Sequence, residues 1–114
     1  MIVRLNNIEP KEVTKPKDGR GSLINFGYEA ATKFGGQIKM FSVVELKPDS
    51  KVGYHIHEND MEIYLILDGK AVVNDSGTEE LLNPGDMLIT PKGEGHSIEN
   101  KTNEPITFLA VIIE

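Results

Sequence analysis

The run Glu62-Ile63-Tyr64-Leu65-Ile66-Leu67-Asp68-Gly69-Lys70-Ala71-Val72-Val73-Asn74-Asp75-Ser76-Gly77 decides the fold class. It contains two short apolar segments, each ended by a turn signal, which is the spacing of an all-β chain. Asp68-Gly69 readily supplies the positive φ angles of a tight turn, so the reading predicts a hairpin joining 62–67 to 71–73. Asn74-Asp75-Ser76-Gly77 makes the next turn. If Glu62 faces inward, Tyr64 and Ile66 follow it, while Ile63, Leu65 and Leu67 face the other way. Both faces are then mostly apolar, as suits a strand in the middle of a packed double sheet.

The same pattern extends outward. Gln37–Lys47 alternates loosely, with Ile38, Met40, Ser42 and Val44 on one face. Lys51–His57 reads as extended, and Asn83-Pro84-Gly85-Asp86 as a turn before the segments Met87–Thr90, His96–Glu99 and Ile106–Ile113. Glu79 and Glu80 read as a solvated strand edge. Only Glu29–Phe34 could form a helical turn, and glycines flank it on both sides. Glu9–Arg20, with two prolines and a glycine, reads as an extended arm or loop rather than core. The expectation is an all-β sandwich or barrel; periodicity does not choose between them.

Composition narrows the class. A chain of 114 residues predicts one domain. Within it, residues 1–36 form an N-terminal strand and arm, and 37–114 the barrel core. Twelve Lys and Arg against 18 Asp and Glu give a net charge of −6, which disfavours a nucleic-acid partner. The absence of cysteine removes disulfides, thiolate metal sites and cysteine nucleophiles together. The longest apolar stretch, Phe108–Ile113, is far below the ~20 residues of a membrane helix. The polar opening Met-Ile-Val-Arg-Leu-Asn-Asn does not read as a secretory leader, so a cytoplasmic protein is expected.

Three histidines carry the chemistry. His55 and His57 stand two apart in an extended segment, so their rings share a face. A hairpin through Glu58-Asn59-Asp60 would bring the Glu62 carboxylate alongside them. With His96 the set becomes three imidazoles and one carboxylate, which suits a divalent transition metal such as Mn, Fe, Ni or Zn. Four protein ligands leave positions open on an octahedral ion, as in catalytic rather than structural metal sites. The alternative, that these are ordinary surface or hydrogen-bonded histidines, weakens once the spacings are read together. They are His55-x-His57-x4-Glu62-x6-Gly69 and, fifteen residues on, Gly85-x5-Pro91-x-Gly93-x2-His96-x3-Asn100.

These two segments resemble the two motifs of the cupin superfamily, over residues 48–105. One position departs: Asp49 stands where the family has a glycine, and Asp tolerates the left-handed backbone such a turn needs. The resemblance implies a double-stranded β-helix, or jelly-roll barrel. It implies His55, His57, Glu62 and His96 as ligands of one metal ion per chain, and Gly69, Gly85, Pro91, Gly93 and Asn100 as turn residues. It also implies a homodimer, often formed in this family by exchange of N-terminal strands, for which Ile2–Leu5 is available.

The reaction is less legible. The resemblance implies a metalloenzyme of lyase, isomerase or oxygenase type acting on a small carboxylic acid or sugar-like metabolite. The alternative is a non-catalytic module that binds a small molecule. Strand parity nominates Tyr64, Met40 and Ile98 as pocket residues. Tyr64 reads more readily as a core aromatic with a satisfied hydroxyl than as a phenol donor near the metal, and Arg20, between two glycines, as an exposed turn residue rather than an anion binder. Ser97 cannot be a nucleophile, because no free histidine remains to activate it.

Overall fold

The computed structural model describes residues 1–114. It contains no α-helix and ten strands: β1 (Lys11–Thr14), β2 (Ser22–Gly27), β3 (Ile38–Leu46), β4 (Ser50–Ile56), β5 (Met61–Asp68), β6 (Ala71–Asp75), β7 (Thr78–Leu82), β8 (Met87–Thr90), β9 (Gly95–Asn100) and β10 (Ile106–Ile113). Glu29–Thr32 closes only a 3-10 turn. Every pairing is antiparallel. One sheet runs β1-β2-β3-β10-β5-β8 and the other β4-β9-β6-β7, and together they form a jelly-roll sandwich.

The alternation expected of β5 is present: Glu62, Tyr64 and Ile66 are buried between the sheets, while Leu67 is exposed and Ile63 and Leu65 lie on the outer face. Their inward neighbours on β10 are Phe108 and Ala110, and on β3 Ser42, Val44 and Leu46. Ile66, Val73, Ile98, Ile106 and Phe108, each at most 1% exposed, pack the closed end of the sandwich. The outer face of the larger sheet is also apolar. Two cross-strand rows lie on it, Phe26-Val43-Leu109-Leu65-Met87 and Phe41-Val111-Ile63-Ile89.

Two expected hairpins are crossovers instead. Asp68-Gly69 carries the chain from the larger sheet to the smaller, so β5 and β6 do not pair. The turn through Glu58-Asn59-Asp60 likewise joins β4 of one sheet to β5 of the other. Turn residues specify a reversal of the chain; whether the flanking strands bond depends on remote partners, here β10 for β5 and β9 for both β4 and β6. Gly69 has φ +84°, and a Cβ there would come within 2.5 Å of the Ile106 side chain. The local two-residue hairpin is β6–β7, through Ser76-Gly77, with Glu79 and Glu80 on its exposed edge strand.

The N-terminal region departs further from the expected arm. Lys11–Thr14 pairs with β2, and β2 pairs with β3 along Leu23–Gly27. The apolar Met1, Ile2, Val3 and Leu5 lie outside any strand and are exposed. At the other predicted departure, Asp49 adopts the left-handed conformation, with φ 54°, and its carboxylate and carbonyl both accept from Arg20.

Asn100 ties the closed end together. Its fully buried amide donates to the carbonyls of Leu46, Lys47 and Glu104, while its carbonyl accepts from the Thr102 backbone and hydroxyl. Asn100→Ala is expected to destabilise the fold by about 2–3 kcal/mol, because buried carbonyls lose their donor. Urea unfolding would measure this, and metal stoichiometry at low urea would be unchanged.

Candidate metal centre

His55 and His96 face each other as cross-strand partners on β4 and β9. A bulge between Val52 and His55 inserts one residue into β4 and turns the His55 ring inward. His57 follows the end of β4, pinned by its backbone bonds to Glu94 and Gly93. Glu62 approaches from β5 in the opposite sheet. The four side chains therefore meet between the layers, with Glu62, His57 and His96 buried and His55 half-buried at the rim.

Their ligating atoms lie within 4.8 Å of one another. His96 Nε2 is 3.1 Å from the Nε2 atoms of both His55 and His57. The Glu62 carboxylate oxygen stands 2.9 Å from His57 Nε2 and 3.0 Å from His96 Nε2. The far nitrogen of each ring is held separately. His55 Nδ1 donates to the Gly53 carbonyl at 2.7 Å, and His57 Nδ1 to the Asp60 carboxylate at 2.7 Å. His96 Nδ1 meets the Thr90 hydroxyl at 2.7 Å.

This arrangement determines what the cluster can hold. Neutral rings that donate from Nδ1 offer only a lone pair at Nε2. His55 and His57 thus turn lone pairs toward His96 Nε2 and a carboxylate oxygen, and one proton on His96 would have to serve three acceptors. A divalent cation satisfies all of them, and partners that fix the distal nitrogen are the usual support of metal-bound histidine. The cluster is compatible with one metal ion. Burial, reinforced by the neighbouring imidazoles, lowers the His55 pKa and keeps its lone pair available. The His57 bond, aided by Lys39 at 3.4 Å, holds Asp60 below the ordinary carboxylate range.

A cavity of about 290 Å³ opens over the cluster. Tyr64 and Met40 line it, as strand parity suggested. Tyr64 stacks on His96, with centroids 4.5 Å apart and planes at 12°; burial, then the Glu62 charge, push its phenol pKa well above the ordinary value. Ile98 does not line the cavity: it is fully buried in the closed end, because parity assigns a face of the sandwich but not a depth. Arg20 is spent on Asp49 and on Glu99, at 2.7 Å, away from the cavity. The sequence reading did not single out Asp60, Thr90 or Gly53. For Asp60 the i, i+3 spacing from His57 was an available clue; Thr90 and the Gly53 carbonyl carry none.

Comparison with known proteins agrees with this geometry. Residues 42–112 match the family model of the cupin domain. An oxalate-binding protein of Thermotoga maritima is 37% identical over 113 residues, spanning 99% of this chain and 93% of that protein. The structure of a predicted oxalate decarboxylase from Thermotoga maritima, also 37% identical, superimposes with a TM-score of 0.90, over 99% of this chain and 98% of that one. A sugar phosphate isomerase of the cupin superfamily from Silicibacter pomeroyi, 27% identical, gives a TM-score of 0.81, over all of this chain and 76% of that one.

Protein purified without chelators is expected to carry one divalent transition metal per chain, and His57→Ala almost none, by elemental analysis. Asp60→Ala keeps all four candidate side chains but frees the His57 ring, so metal affinity should fall roughly 10–100-fold in a competitive chelator titration. Equal metal content in wild type and His57→Ala would refute the assignment.

Proposed function

The chain belongs to the cupin family, and from that membership we propose that it binds one divalent transition metal through His55, His57, Glu62 and His96 and, through that metal, a small carboxylic acid. The observation that supports this reading is the composition of the cavity wall. Beyond the metal cluster its only titratable side chains are Lys17 and Tyr64, with no further carboxylate or imidazole. A site so furnished can neutralise and orient an anion, whereas it has few groups for moving protons. The metal, when bound, supplies a Lewis acid for carboxylate oxygens. Tyr64, kept protonated, offers a phenol donor beside Glu62.

A second reading, a metal-dependent lyase or isomerase, is favoured by that same phenol. It is the one neutral acid in the cavity able to deliver a proton to a charge developing near the metal. Calorimetric titration of manganese-loaded protein with oxalate and longer carboxylates separates the readings. Under the binding reading the acid is recovered unchanged, and metal removal weakens binding at least about 100-fold, or ~2.7 kcal/mol. Turnover that Tyr64→Phe abolishes while binding survives would establish the enzymatic reading instead.

We further propose that two copies pair through the outer face of the larger sheet. Its two apolar rows contain no charged side chain, with Glu45 at their margin on β3, and a charge-free central patch is what lets two chains of net charge −6 approach. This contact needs no exchange of N-terminal strands. Light scattering is expected to give twice the 12.6 kDa chain mass, and Leu109→Glu to give the monomer with metal content unchanged.

A further inference from the structure

The cavity is larger than the metal cluster needs. At about 290 Å³ it stands at the lower end of clefts that enclose drug-sized ligands, well beyond a two-carbon acid. Its long wall is a cross-strand row, Asn25-Val44-Phe108, running over β2, β3 and β10 toward Tyr64 on β5. Asn25 sits three strands from β5, roughly 14 Å along a flat sheet at ~4.8 Å per strand and less across a curved one. Apart from the metal cluster, Tyr64, Lys17 and Asn25, the lining is apolar, including Leu23, Val44, Val52 and Phe108.

Besides the metal cluster, the Asn25 amide and Lys17 line the cavity. The Lys and Arg ion pairs of the chain are made by Arg20, Lys39 and Lys47, so Lys17 has none. The backbone of Lys17, an exposed residue, is firmly placed. It adopts φ 51° and ψ 44°, between Lys15 at φ 46° and Asp18 at φ 58°, with Pro16 buried beside it. Its carbonyl occupies the space a side chain would need at position 53, lying 2.0 Å from where a Gly53 Cβ would stand. Gly53 is the residue whose own carbonyl orients His55. The cationic loop and the metal ligand are thus locked to one bulge, and their separation is fixed.

We propose that the acid taken by this cavity is elongated. Its metal-bound carboxylate would be joined through an apolar body of several carbons to a second anionic or hydrogen-bonding group, held by Lys17 and Asn25. This inference rests on the metal-dependent carboxylate reading above and specifies its ligand. The second group meets a charge-assisted donor from Lys17 and an amide from Asn25, while the body displaces water from Val44 and Phe108.

The test is a calorimetric series on manganese-loaded protein, using oxalate, succinate, adipate, suberate and the monoacid hexanoate. Affinity is expected to rise at least about tenfold from oxalate to the best longer diacid, which should also exceed hexanoate about tenfold. The double variant Lys17→Gln/Asn25→Ala, its fold checked by metal stoichiometry and circular dichroism, should erase the advantage of the diacid and leave hexanoate unchanged. Oxalate binding as tightly as any longer acid would overturn the inference and leave the carboxylate reading standing. Equal weakening of diacid and monoacid in the variant would also overturn it. Failure of every acid to bind metal-loaded protein would strike down the carboxylate reading itself.

Discussion

Three imidazole nitrogens and one carboxylate oxygen converge between two sheets, and their mutual repulsion is the constraint to which the rest of the structure answers. The imidazoles arrive from the smaller sheet and its β4 end, the carboxylate from the larger. Each ring is then steadied by a different part of the chain: a bulge carbonyl for His55, a crossover-loop carboxylate for His57, and a hydroxyl on β8 for His96. Because β8 belongs to the larger sheet, Thr90 ties the layers together a second time. No single element carries the site, so its geometry is set by the packing of the whole sandwich.

That dispersal explains what the sequence could and could not disclose. The four clustered side chains were legible because histidine is scarce in this chain and their spacing is patterned. Their supports were not, since a glycine carbonyl or a threonine hydroxyl takes its role from where it points. The strands of the two sheet interiors announced themselves by alternation, as in Glu62, Tyr64 and Ile66 against Ile63, Leu65 and Leu67. β1 could not: Lys11-Glu12-Val13-Thr14 is exposed along its length and is a strand only because β2 offers it a partner. The two misread hairpins share one cause, namely that a turn dipeptide encodes local φ angles while sheet membership is decided by residues tens of positions away. Asp49 is the opposite case, where a local rule about the left-handed region held and the remote Arg20 adds its bonds to the same turn.

A buried polar cluster in so small a core also shapes the energetics. Where a sandwich of this size would place aliphatic side chains, this one places three imidazoles and a carboxylate, which are costly to desolvate without a cation. A metal bound by the folded form alone would add to stability by mass action. Coordination and folding would then be linked quantities, and a variant at any of the four residues would act on both.

Tyr64 marks the boundary between the two halves of the interior. One face of its ring stacks on His96, and its other neighbour is Phe108, which belongs both to the closed core and to the cavity wall. Below it, side chains at most 1% exposed exclude water; above it the cavity opens past Val44 toward Asn25. A molecule entering from the open end would meet an apolar wall before it reached the four clustered side chains. Selectivity under the proposed function would then rest on residues that no metal-binding motif contains. A fold common to proteins that carry quite different names does not by itself fix what any one cavity accepts.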